Sequence, residues 1–139
     1  MKKDDAELVK KAQAAREKAL ASYSHFKVGA ALRTKDGKVY SGINVESSSY
    51  GLTICAERVA LFKALSEGER QFDSIAIVTD SDELCPPCGA CRQVLWDYAP
   101  NLKIILSNLK GKTREYELRE LFPAAFDQSF LDSEKDPNP

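Results

Sequence analysis

The sequence predicts an α/β domain built on a mixed five-stranded sheet, and three observations carry that reading. Helical and strand-like apolar patterns alternate along the chain. An Asp36-Gly37 turn joins two of the strand patterns as a hairpin. The last two strand patterns are separated only by Asn108-Leu109-Lys110-Gly111-Lys112, and parallel neighbours need a crossover of a dozen or more residues, so those two strands run antiparallel.

The elements follow in order. Leu8, Ala12, Ala15 and Ala19 recur at helical spacing among charged residues, which predicts an amphipathic first helix over about residues 5 to 21. Val28 to Arg33 is an apolar strand. Beyond the turn Lys35-Asp36-Gly37-Lys38, Val39, Ser41 and Ile43 alternate with Tyr40, Gly42 and Asn44 to form its hairpin partner. A loop through Ser47 to Thr53 leads to a helix from Cys55 to about Glu67, with Val59, Leu61, Phe62 and Leu65 apolar and Gly68 as its stop. Ser74 to Thr79 is a buried strand. The loop Asp80 to Pro87 then enters a helix from Cys88 to about Tyr98, and strands Lys103 to Ser107 and Thr113 to Leu118 close the domain.

Composition narrows the class. At 139 residues and 43% hydrophobic content, the chain builds one ordinary core and has no room for a second. One domain over residues 1–132 is expected, followed by a polar, disordered tail at 133–139. A net charge of −1 and a pI near 5.9 leave no electrostatic footprint for nucleic acid. No apolar run reaches the roughly 18 residues of a membrane span. Met1-Lys2-Lys3-Asp4-Asp5 leads into a charged helical pattern instead of a signal-peptide core, so a cytoplasmic protein with reduced cysteines is expected.

Those cysteines carry the chemistry. Cys55-Ala56-Glu57 is followed some thirty residues later by Pro87-Cys88-Gly89-Ala90-Cys91-Arg92. A structural zinc site fills all four tetrahedral positions with protein atoms, whereas a catalytic one uses three and leaves the last to water. Cys55, Cys88 and Cys91 supply three ligands. Zinc brings the pKa of such a water to roughly 7, and Glu57, two residues from the first ligand, is placed to carry its proton. Both ligand groups stand at helix starts, where positive dipole ends face a centre whose three thiolates exceed the zinc charge by one unit. Arg58 adds a cation beside the sulfurs, which keeps the metal electrophilic.

Two other readings of the same cysteines stay open at this level. Cys88-Gly89-Ala90-Cys91 alone is also the pattern of a redox dithiol. Cys85 makes a closed four-sulfur structural site conceivable, although a spectator thiol near the centre is the simpler reading. The single histidine, His25, is expected at the surface.

The C-x-E…P-C-x-x-C order resembles the zinc deaminases, whose signature carries His or Cys as first ligand and a glutamate that is not a ligand. Further blocks extend the likeness: Tyr23 to Leu32, Gly42-Ile43-Asn44-Val45-Glu46, Cys55-Ala56-Glu57-Arg58, Pro87 to Gln93 and Glu120-Leu121-Phe122-Pro123. Together they are similar to the small homotetrameric cytidine deaminases over about residues 5 to 131. The resemblance implies a three-layer α/β/α fold and one zinc per subunit, and Glu57 as proton carrier. It also implies a substrate site in which Phe26 packs on the pyrimidine, Asn44 and Glu46 hold the ribose, Val45 and Ala56 line the pocket, and Phe126 covers the base from a neighbouring subunit. The implied activity is deamination of cytidine and 2′-deoxycytidine in pyrimidine salvage. The short hairpin between the last two strands sides with the nucleoside enzymes, since the polynucleotide-editing relatives place a helix there. Competing hypotheses are a deaminase of a modified nucleoside or nucleoside antibiotic, and a non-catalytic zinc-stabilised binding module.

Overall fold

The computed structural model describes residues 1–131; the tail expected at 133–139 lies outside the described residues. Its elements are α1 (Lys3–Arg16), β1 (Val28–Thr34), β2 (Val39–Ile43), α2 (Ala56–Ser66), β3 (Phe72–Thr79), α3 (Gly89–Tyr98), β4 (Lys103–Asn108), β5 (Thr113–Glu117) and α4 (Leu118–Leu121), with short 3₁₀ turns at Tyr50–Leu52 and Gln128–Leu131. The strands form one mixed sheet in the order β2-β1-β3-β4-β5. β1 is antiparallel to β2 and β3, β3 and β4 are parallel across the α3 crossover, and β4 and β5 are antiparallel as their short connection requires.

Both sheet faces are covered, giving three layers. Ala30, Leu32, Ile75, Ile77, Ile104 and Leu106 point to one face and pack with Ala56, Ala60, Leu61 and Ala64 of α2 and Leu95 of α3. The alternate residues Ala31, Ala76, Val78 and Ile105 point to the other and pack against Leu8 and Ala12 of α1. Burial on both faces explains why the central strands read as continuous apolar runs. Two glycines set the layer spacing. A Cβ on Gly29 would lie 2.0 Å from the Ala12 carbonyl oxygen, and one on Gly42 would lie 2.2 Å from that of Ala56. Gly42 therefore seats the first turn of α2 directly on β2.

The first helix is shorter than its periodicity predicts and ends at Arg16 instead of about residue 21. Ala19 and Ala21 are still buried, but the chain there leaves the helix to pair with β2's extension. Leu20 donates to Asn44 O at 3.0 Å and Glu46 N–H donates to Leu20 O at 3.0 Å, forming a bridge beside Val45. Tertiary pairing overrides local propensity. Cys55 and Cys88, predicted as first helical residues, instead cap α2 and α3 with extended backbone.

Candidate metal centre and active site

Strand register brings the entry to β1, the exit from β2 and the exit from β3 to one end of the sheet. The start of β1 pairs with the end of β3 through Val28 and Thr79, and with the end of β2 through Gly29 and Ile43. Phe26, the stretch leaving β2 at Asn44 and the loop leaving β3 toward Cys88 thus share an edge. A ligand crevice beyond the carboxyl ends of strands is the usual arrangement in open α/β sheets.

At that edge the caps of two helices converge. The Sγ atoms of Cys55, Cys88 and Cys91 all lie within 4.8 Å of one another, and those of Cys55 and Cys88 are 3.6 Å apart. Tetrahedral zinc with Zn–S bonds of about 2.3 Å separates its sulfurs by about 3.8 Å, so the donor set and its spacing fit zinc. Cys85 does not join the set. Its half-buried thiol sits 3.7 Å from Pro86 O, and burial, with the neighbouring charges of Glu57, Cys88 and Cys55, pushes its pKa up. Among the described residues the centre has three sulfurs and no fourth, which fits an open site better than a closed four-sulfur one.

The groups around the sulfurs show how strongly they interact. A hydrogen bond from Cys91, together with Arg58, lowers the Cys55 thiol, while the same bond and burial push the Cys91 thiol up. The Arg58 Nη2 atom donates to Cys55 Sγ at 3.6 Å. Glu57 is 5% exposed in the first turn of α2. Burial, helped by the Cys55 thiolate, pushes its carboxyl up to about 7 against a hydrogen bond from its own backbone.

Of the remaining predicted residues, Asn44, Val45 and Glu46 lie along the stretch that bridges to Ile54, next to Cys55, and make contacts of their own. Asn44, buried, accepts from Val28 N–H through Oδ1 at 3.0 Å and donates from Nδ2 to Phe26 O at 2.8 Å. One N–H and one lone pair of its amide remain for a ligand. Glu46 accepts from the backbone N–H groups of Tyr23 and Ser24, at 2.9 Å and 3.0 Å, and from the Ser24 hydroxyl. Those bonds, the Ser24 hydroxyl first, hold its carboxyl below the ordinary range. Glu46 lines a cavity of about 420 Å³ with Tyr23, Ser24, Ser47, Tyr50 and Thr53. Sequence reasoning left Tyr23 and Ser24 without a role, and only their place in a matched block marked them. Phe26 is exposed beside His25, which is also exposed and carries a left-handed φ of 59°. Val45 is exposed, Ala56 fully buried. Phe126, 54% exposed, stacks on Phe130 with ring centroids 5.6 Å apart in the C-terminal segment.

Relatives match this arrangement over most of its length. The model of the cytidine and deoxycytidylate deaminase zinc-binding region matches residues 2–106. A cytidine deaminase from Halalkalibacterium halodurans is 54% identical over 120 residues, covering 86% of this chain and 91% of the relative. A blasticidin-S deaminase from Bacillus cereus is 37% identical over 107 residues, covering 71% of this chain and 76% of the relative. The crystal structure of a cytidine deaminase from Burkholderia pseudomallei aligns with a TM-score of 0.86 at 50% identity, covering 91% of this chain and 100% of that one. Because the matched region contains both cysteine loops and most of the sheet that brings them together, the chain belongs to the zinc-binding family of cytidine and deoxycytidylate deaminases.

Proposed function

We propose that this protein hydrolytically deaminates cytidine and 2′-deoxycytidine to uridine and 2′-deoxyuridine, with release of ammonia. The observation that carries the reading is the buried Glu57 carboxyl in the helix turn that follows Cys55, one of three clustered sulfurs suited to zinc. Cys55, Cys88 and Cys91 would hold the zinc ion, which when bound would supply the Lewis acidity that brings the pKa of a water near neutral. Glu57 takes the water proton and delivers it to N3 of the pyrimidine, which leaves C4 electrophilic and open to addition of the hydroxyl oxygen. Glu57 then takes the proton of the new C4 hydroxyl and passes it to the amino nitrogen, the C4–N bond breaks, ammonia departs and the carbonyl of uridine forms. Arg58 offsets the excess negative charge of the sulfurs.

Asn44 and Glu46 hold the ribose hydroxyls with the valences their backbone contacts leave free, and Phe26, Val45 and Ala56 wall the base. Phe126 covers it from a neighbouring subunit of a homotetramer. Exposed Tyr50 (75%), Leu52 (68%) and Phe130 (63%) support association, since apolar side chains so exposed are suited to burial against another copy. On this reading the protein is a cytoplasmic enzyme of pyrimidine salvage. The blasticidin-S deaminase likeness favours one second reading, a nucleoside-antibiotic deaminase. Zinc-loaded protein is incubated with cytidine, and with blasticidin S in parallel, while ammonia and uridine are followed. Rapid uridine formation, lost in Glu57→Gln with zinc retained, is expected. Turnover of the antibiotic alone moves the assignment to the second reading.

A further inference from the structure

We infer that Gln93 and Trp96 are positioning residues that hold Phe126 in place for substrate binding, an inference that rests on the proposed role of Phe126 against the base. The two lie three positions apart, on one face of α3. Gln93 Nε2 donates to the carbonyl oxygen of Phe126 at 2.9 Å, and Trp96 Nε1 donates to Asp127 Oδ2 at 3.1 Å. The other end of the segment is tied to the same helix: Arg92 Nη1 donates to Leu121 O at 2.6 Å, and the Trp96 ring sits 6.3 Å from that of Phe122. The stretch from 121 to 127 is thus strung along α3, the helix whose cap and first turn carry Cys88 and Cys91.

Two further observations make these tethers decisive for the ring. Phe126 is 54% exposed, so packing into the core does not set its position. The backbone before it is strained, because Ala124 has a left-handed φ of 51° that an L side chain adopts at a cost. Beyond its stack on the likewise exposed Phe130, the polar contacts to α3 are what hold this strained segment in one conformation. Asp127 is itself tethered, accepting from the Ser129 N–H at 2.9 Å, and the bonds from the Ser129 hydroxyl and Trp96 hold its carboxyl below the ordinary range.

The test uses Gln93→Met, which keeps length and bulk, and Trp96→Phe, which keeps an aromatic ring, each removing one donor, alone and combined with Phe126→Ala, in the zinc-loaded protein with cytidine as substrate. Zinc content and far-UV circular dichroism report folding. Each single variant is expected to raise KM by about 3- to 10-fold, the loss of one hydrogen bond, with kcat within about twofold. Neither should raise KM further once Phe126→Ala is present, because both act through that ring. Loss of Phe126 raising KM while both donor variants leave it unchanged overturns the inference, as does an undiminished donor effect in the Phe126→Ala background. A Phe126→Ala variant with wild-type KM instead overturns the assignment of Phe126 to the substrate site, and the inference with it. If Gln93→Met fails to fold, Trp96→Phe and its double variant carry the same comparison.

Discussion

Replacing Gly42 with alanine tests how closely the metal centre depends on helix seating. The new Cβ would lie 2.2 Å from Ala56 O and 2.6 Å from Ala60 N, both backbone atoms of α2. Reaching ordinary contact near 3.4 Å requires the start of α2 to retreat from β2 by about 1 Å. Overpacking of this kind costs about 1–3 kcal/mol, a Tm lower by roughly 4–12 °C for a chain of this size. The same retreat carries Cys55 and Glu57 away from Cys88 and Cys91, which stand on another helix, α3. A misplacement of about 1 Å at reacting groups costs on the order of 10²-fold. Gly29→Ala is the control, since its Cβ would meet Ala12 O at 2.0 Å but displaces α1 on the opposite face. Thermal melts, the rate of zinc release to a chromogenic chelator and kcat/KM for cytidine are measured on both. Comparable loss of stability is expected, with faster zinc release and about 100-fold lower kcat/KM in Gly42→Ala alone. A Gly42→Ala protein that keeps wild-type zinc release and turnover would falsify the coupling of α2 seating to the site.

Glu57→Gln is expected to lower kcat by about 10³-fold or more while zinc content stays stoichiometric, as general acid-base groups contribute about 10²- to 10⁴-fold and this one acts twice. Near-normal turnover in the zinc-replete variant removes Glu57 from the mechanism. Arg58→Gln removes the cation 3.6 Å from Cys55 Sγ, and a loss of about tenfold in kcat or in zinc affinity is the expected result, read from kinetics and metal competition. Asp5 is 2% exposed and receives Arg33 at 2.9 Å and Lys103 at 2.7 Å. Burial alone would raise its carboxyl, but the bonds from Lys103 and Arg33 outweigh it and the pKa is lowered. The resulting stability is present above the unfolded carboxylate range and is lost as pH falls through the folded value. Urea melts of Asp5→Asn should show a deficit of about 3 kcal/mol at pH 7 that shrinks below pH 4, and a deficit independent of pH contradicts the linkage.

Two residues proposed for the substrate site also serve the fold. Asn44 closes the entry to β1 through Val28 and Phe26, and Glu46 fixes the Tyr23-Ser24 turn. Changes at either position therefore move the Phe26 strand entry as well as any contact to a ligand, and kinetics for them are to be read beside stability.

What was legible in the sequence was local and chemical. Cysteines at helix starts, a carboxylate two residues on, the Asp36-Gly37 turn and the short link between β4 and β5 each follow from spacing along a few residues, because caps, turns and ligand pairs are short-range geometry. The metal trio was readable for the same reason, as each half is contiguous in the chain. Other features needed the folded molecule. The end of α1 at Arg16 depends on Leu20 meeting Asn44 and Glu46, residues more than twenty positions away. The exclusion of Cys85 from the sulfur cluster depends on how the loop from β3 enters α3. The raised Glu57 carboxyl depends on burial that only the folded molecule creates. The seat of Phe126 on Gln93, some thirty positions earlier, leaves no periodic trace. Motifs record which chemistry the chain carries, whereas distance in space and loss of solvent arise only when the sheet register brings β1, β2 and β3 to one edge.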